Sequence, residues 1–445
     1  MPKKAIQLSD HFTYSRLLRF VLPCIGTMLF TSIYGIVDGL CVSNFVGKTA
    51  FAAINLIMPL PQLLGTVGFM LGTGGSAIVG ITLGEGDPKK ADRYFTMFLL
   101  AALISVSVLA VLGILLLRPV AVLLGAKGEL LDYAVRYGRI LMLALPPFAL
   151  QNMFQSFFVT AEKPLLGFWF TVGAGCTNMV LDVVMVGMLH WGVEGAALAT
   201  LISQLVGGVL PVFYFIDHHN TSRLHLCRTQ FYGRVLWDAC INGSSELMTN
   251  LSMSLVNILY NFQLLRLAGE NGVAAYGVVA NLALVGIAVF TGLCTGIQPL
   301  VSRSSGLGDR EQLRRLFRWG ICTALGIAAV LCVSVFLGAE PLTAVFNSEH
   351  DPQLAAYAES GLRIYFTGFL FAGVNMVTAA FFSASDKTVQ GFVLSLLRGV
   401  IAVPPILFPL AWALGVDGVW LTFPMVELVT AVAALVWARK YIIEN

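Results

Sequence analysis

An all-helical integral membrane protein of twelve transmembrane helices, in two six-helix lobes related by a pseudo-twofold axis, is the fold this 445-residue sequence predicts. Three observations predict it. Charged residues make up 11% of the chain and apolar residues 57%, with a mean hydropathy of +0.82, whereas a soluble globule carries about a quarter charged residues. Apolar runs longer than about 18 residues recur from end to end, each enough to cross a hydrocarbon core of about 30 Å. The two halves of the chain also repeat each other in register.

Charges, Gly and Pro punctuate the first half into spans 17–43, 50–82, 94–117, 133–159, 165–189 and 194–217. The second half reads 237–266, 272–302, 316–338, 355–383, 388–413 and 416–438. The opening MPKKAIQLSDHFTYSRLLRF is polar, and the apolar run after it continues past any cleavage site, so a cleaved signal peptide is not expected. The eight cysteines form no CxxC or zinc spacing and read as small core residues. With the amino terminus in the cytoplasm, nineteen Lys and Arg fall in cytoplasmic segments and seven outside, while Arg398 lies within a span. Both termini are therefore expected in the cytoplasm of a multi-pass plasma-membrane protein. The scattered basic residues give no nucleic-acid patch.

The repeat has an offset of 222–224 residues. GEGDPKKADRYF (84–95) answers GLGDREQLRRLFRW (306–319), FFVTAEKPLLGF (157–168) answers FFSASDKTVQGF (381–392), and GVEGAALAT (192–200) answers GVDGVWLTF (415–423). Several coincidences in register point to duplication. The expected organisation is an amino lobe 1–217, a cytoplasmic linker 218–236 and a carboxyl lobe 237–445. An even number of spans per half makes the repeats parallel, around a central cleft that can open to either side.

On these residues the chain resembles the multidrug and toxic compound extrusion (MATE) family over essentially its full length. The resemblance rests on the Gly84, Ala91 and Arg93 loop, its partner after the eighth span, and TNMVLDVVMVGMLHWGVEGAALATLISQ across the fifth and sixth. It implies cation-coupled efflux of organic compounds by two six-helix lobes.

Charges inside spans cost roughly 2.5–3.5 kcal/mol each on insertion scales and so mark function. In the first half only Asp38 and Asp182 sit well inside a span. Asn178 lies one turn before Asp182, Tyr34 one turn before Asp38, and Thr200 supplies a hydroxyl from the sixth span. Two carboxylates, an amide oxygen and a hydroxyl form a hard-oxygen set suited to sodium, or a pair that shares a proton. The alternative is a hydrogen-bonded cluster that ties helices together. The resemblance implies the first, because one MATE branch places its amino-lobe site on the positions matching Asp38, Asn178, Asp182 and Thr200, with Tyr34 adjoining. No other metal site and no cofactor are expected. Pro23 permits a bend in the first span, which in related transporters accompanies protonation; a passive kink is the equal alternative.

On the seventh span Glu246, Asn250, Ser254, Asn257 and Asn261 draw one polar stripe, and Gln151 and Gln155 lie one turn apart on the fourth. Such stripes face a wet cavity or other helices. Glu246 is the expected attractor of a cationic small-molecule substrate. Glu427 and Arg398 are expected to pair across neighbouring helices. The competing function is a flippase or exporter of lipid-linked saccharide or another lipid-like substrate, although interior charges here are mainly acidic. No nucleophile elbow, HExxH or P-loop occurs, so an enzyme is not expected. The reading is of a monomer in contact with membrane lipid and its substrate.

Overall fold

The computed structural model describes residues 13–45, 53–54, 56–123, 126–217, 219–346, 351–385 and 387–443, almost all of them helical. Among the described residues twelve long helices follow in order. The first six are α1 (Tyr14–Phe45), α2 (Pro59–Gly84), α3 (Pro88–Leu123), α4 (Glu129–Thr160), α5 (Pro164–Asp182, continued by a π-helical turn, Val183–Met188) and α6 (Gly192–Gly208, continued by Leu210–Ile216). Next come α7 and α8, the arms 233–268 and 270–306 of one stretch that bends at Gly269, where φ is 62°. The last four are α9 (Arg310–Phe346), α10 (Pro352–Tyr365 through Phe366–Gly368 to Phe369–Ala384), α11 (Thr388–Leu396, a π turn Leu397–Ile401, then Val403–Leu414) and α12 (Val416–Ala438, then Arg439–Ile443).

Among the described residues, ten of these helices are long and apolar enough to cross a membrane. The other two are α4 and α7, the helices that carry the amide-rich stripes. The chain is thus a multi-pass membrane protein with the all-helical architecture the sequence predicts.

The duplicated loops fold alike, for reasons visible in their residues. Gly86 and Gly308 take φ of 87° and 66°, a region that glycine enters at little cost. The next residue then caps the new helix: Asp87 Oδ1 accepts from the Lys90 amide at 3.1 Å, and Asp309 Oδ1 accepts from the Gln312 amide at 3.0 Å.

Helix α3 is inside-out relative to a soluble helix. Its buried positions include Ala91, Ala102, Ala110, Gly113 and Ala121, whereas Leu100, Ile104, Val108, Val111, Leu115 and Leu116 are exposed. Small residues let backbones approach, and large apolar ones face lipid. On α9 Ala324, Ala328 and Ala339 are buried beside exposed Val330, Val333 and Phe336.

Hydroxyl groups within the spans largely bond to their own helix. Thr27, Thr31, Thr171, Thr177, Thr200, Thr291, Thr295, Thr378, Thr422 and Thr430 each donate to the carbonyl four residues back. Each donor is satisfied without a neighbouring helix. The Thr27 bond, at 2.9 Å, goes to the carbonyl of Pro23, through which α1 runs on without ending.

The chain forms two compact units, Met1–Gly243 and Ser244–Asn445. In the first, α4 packs against α2, α3 and α6, and α5 packs against α1 and α6; in the second, α10 packs against α9, α11 and α12. Residues 219–243 belong to the amino-terminal unit, whereas the sequence reading starts the second lobe at 237. The physical reason is a strap of hydrogen bonds along α3. The amides of His225 and Cys227 donate to Asp92 Oδ1 (2.9 Å) and Thr96 Oγ1 (3.1 Å), and the Thr229 hydroxyl donates to the Arg93 carbonyl (2.7 Å). Arg223 also meets Glu162 at 3.3 Å. The first turns of α7 then cross α2 so closely that a Cβ on Gly243 would lie 1.9 Å from the Met70 carbonyl oxygen.

Candidate functional site

Of the predicted coupling residues, Asn178 and Asp182 stand on α5, Tyr34 on α1 and Thr200 on α6, and α5 packs against both α1 and α6. Asn178 and Asp182 share one face of α5 and are buried, 2% and 1% exposed. Asp182 is the last α-helical residue before the π turn Val183–Met188. A π turn inserts a residue into the helical register and so re-aims side chains, which is why it is frequent at functional sites.

Tyr34 approaches this face from α1. A Cβ on Gly175 would sit 2.5 Å from Phe30 Cε1 and 3.2 Å from Tyr34 Cδ1. The glycine therefore lets both rings lie against α5, one turn from Asn178. Asp38 follows one turn later on α1; its side chain lies outside the described residues.

From α6, the Thr200 hydroxyl gives its proton to the Ala196 carbonyl at 3.0 Å. A hydroxyl that donates in this way can still accept. The Asn178 Nδ2 group is buried without a hydrogen-bond partner among the described residues. The donor set is made of oxygens from carboxylate, amide and hydroxyl groups, which fits a hard monovalent cation. A buried carboxylate fits a proton equally.

The predicted substrate residues divide between the units. On α7 Glu246 and Asn250 are half-buried, and the Asn250 amide back-bonds to the Glu246 carbonyl at 3.0 Å. Asn257 accepts a 2.5 Å bond from the Tyr276 hydroxyl of α8. Asn261 lines a pocket with Phe262, Leu265, Val273 and Ala274. The Ser254 side chain lies outside the described residues.

On α4 the two glutamines differ. Gln155 is half-buried, but Gln151 is buried, with its carboxamide pressed against Gly207 of α6. Gln151 is thus packed between helices, whereas Gln155 keeps part of its surface open.

The two remaining intramembrane charges pair as their signs suggest. Arg398 donates to Glu427 Oε1 through Nη2 at 2.7 Å and Nε at 3.1 Å. Sequence reasoning missed the third member, Asn375 of α10, whose Nδ2 donates to Glu427 Oε2 at 2.6 Å and to the Glu427 carbonyl at 2.8 Å. The repeat could have found it. At offsets of 224 and 223, Asn375 and Glu427 correspond to Gln151 and Gln204, both buried.

Comparison with known proteins fits this architecture. The MatE family model matches residues 23–184 and again 247–408, once in each half. The multidrug export protein MepA of Staphylococcus saprophyticus is 23% identical over 422 residues, covering 95% of this chain and 92% of the relative. MepA of Staphylococcus aureus is 22% identical over 425 residues, again 95% of this chain and 92% of its own length. Among solved structures, an outward-facing multidrug resistance MATE transporter of the MOP superfamily superposes with a TM-score of 0.93 at 22% identity. It covers 99% of this chain and 98% of its own. A MOP superfamily transporter from Pyrococcus furiosus, described as having a binding pocket of reversed polarity, gives 0.91 at 23% identity with the same coverage. With the family model matched to both halves of a twelve-helix membrane fold, the chain belongs to the MatE family and is a transporter, not an enzyme.

Proposed function

We propose that this transporter exports small amphiphilic organic compounds, chiefly cations, in exchange for sodium or protons. The observation that carries the reading is the burial of Asp182 and Asn178 on one face of α5, beside Tyr34 of α1 and with Thr200 on α6. A carboxylate held out of water demands a neutralising ion. A site whose two loading states differ by one charge is the element an ion gradient can drive. The relatives named as multidrug export proteins support a broad organic substrate range. The substrate reaches the transporter from the cytoplasm, where both termini lie, and the protein acts as a monomer in the plasma membrane by alternating access.

Two experiments test this. Proteoliposomes loaded with a fluorescent organic cation should release it faster under an imposed sodium or proton gradient than without one. Release indifferent to both gradients removes ion coupling. In the same assay Glu246→Gln should raise the half-saturating concentration of cationic dyes about tenfold, the loss of one charge-assisted contact worth about 1.4 kcal/mol. Neutral dyes should be nearly unaffected, and an equal loss for both classes would remove Glu246 from substrate recognition.

A further inference from the structure

The carboxyl-terminal unit contains a second buried carboxylate with a different solution to its charge. Glu427 is 2% exposed and Asn375 0%, and the Arg398 side chain is 15% exposed. Both guanidinium contacts fall on one oxygen, Oε1, and leave Oε2 to the Asn375 amide.

The Asn375 orientation is set by chemistry, since its Nδ2 faces two acceptors and the reverse orientation would oppose oxygen to oxygen. Its Oδ1 is then buried with no hydrogen-bond partner among the described residues. The guanidinium is delivered by the π turn Leu397–Ile401, and Gly399 in that turn admits Ser252 of α7, whose Cβ would lie 2.1 Å from an added methyl.

The repeat supplies a control within the same chain. Where Glu427 and Asn375 have their counterparts, the amino half carries neutral Gln204 and Gln151. Where Arg398 has its counterpart, the amino half carries Ala174 or Gly175. The acid and the base are present together in one half and missing together in the other.

We propose that Arg398 is a tethered counter-cation: its guanidinium takes the place of a monovalent cation at the buried Glu427 carboxylate, whose other oxygen is held by the Asn375 amide. With the guanidinium in place, the carboxyl-terminal unit exchanges no ion at Glu427. Without it, a carboxylate with nothing to balance its charge remains in a low-dielectric interior. An amide flip then turns the Asn375 oxygen toward Glu427 Oε2, and a sodium-sized cation held by these oxygens restores the balance. The inference does not rest on the amino-terminal coupling site, and it can fail or hold independently of it.

The test is thermal melting of purified full-length protein in sodium chloride against N-methylglucamine chloride at equal ionic strength, the organic cation being too large to enter. Arg398→Met should gain about 3 °C or more from sodium beyond whatever the native protein gains, as expected for a ligand that binds only the folded state. Glu246 is a second carboxylate within electrostatic reach of Arg398, so two double variants assign the site. The extra increment should persist in Arg398→Met/Glu246→Gln and vanish in Arg398→Met/Glu427→Gln. Lithium and potassium arms report the fit of ion size.

Four results overturn the proposal. They are a sodium increment in Arg398→Met no larger than the native one, an increment that survives Glu427→Gln, stability regained by acidification alone, and failure to recover folded Arg398→Met from membranes extracted in sodium.

Discussion

Asp182→Asn is expected to abolish gradient-driven export while leaving the protein folded and inserted. The side chain is 1% exposed, and Asn has almost the same shape, so packing against α1 and α6 is preserved. What changes is charge: an amide cannot exchange a proton or balance a sodium ion. Removing a buried carboxylate also lowers the cost of inserting α5 by roughly 2.5–3.5 kcal/mol, so yield should hold or rise. Asp38→Asn is expected to behave the same way, because the two carboxylates are read as one ion-binding pair. The measurement is initial efflux rate in proteoliposomes, normalised to folded protein. A rate within twofold of native under an imposed gradient would take Asp182 out of the coupling step.

A second large effect is steric. The Cβ of Gly243→Val would lie 1.9 Å from the Met70 carbonyl oxygen, and a Cβ on Gly74 would lie 1.9 Å from that of Ala239. Neither obstacle is a flexible side chain, so α2 and α7 must part. Packing of Leu71 and Ala239 within the aromatic core that includes Phe95, Phe98, Phe154 and Phe157 is lost with them. Overpacking of this kind costs about 1–3 kcal/mol, more where backbone opposes backbone. Folded yield by fluorescence-detected size exclusion should fall severalfold. Gly173→Ala, on α5 with open space at its Cβ, is the control and should match native. A Gly243→Val protein that melts with the native one would contradict the close crossing.

How much of this was legible in the sequence differs by element, for physical reasons. Spans were legible because hydrocarbon imposes a length and a composition, and even α4 and α7, with their amides, could be placed by the loops on either side. The caps at Asp87 and Asp309 could be read from Gly-Asp before a helix. The pairing of Arg398 with Glu427 followed from opposite charges that have no water to face. The π turns after Asp182 and around Arg398 were not legible, because an extra residue in a helical turn leaves no mark in hydropathy. Asn375 stands out little in the sequence, because one amide in an apolar helix looks like any interhelical contact. The spacing of Gln151 and Gln155 leaves open a wet cavity or a neighbouring helix, and residue type does not reveal that Gln151 lies against Gly207. The sequence marks 218–236 only as a linker, because the bonds that hold 225–229 to α3 join backbone to side chain and residue type does not reveal such partners.

The threonines that spend their protons on their own helices bear on how the molecule moves. Neighbouring helices joined mainly by the fit of methyls and small residues can slide by fractions of an ångström without breaking a directional bond. Substituting these threonines by valine should therefore alter turnover less than substituting them by asparagine, which reaches across and latches.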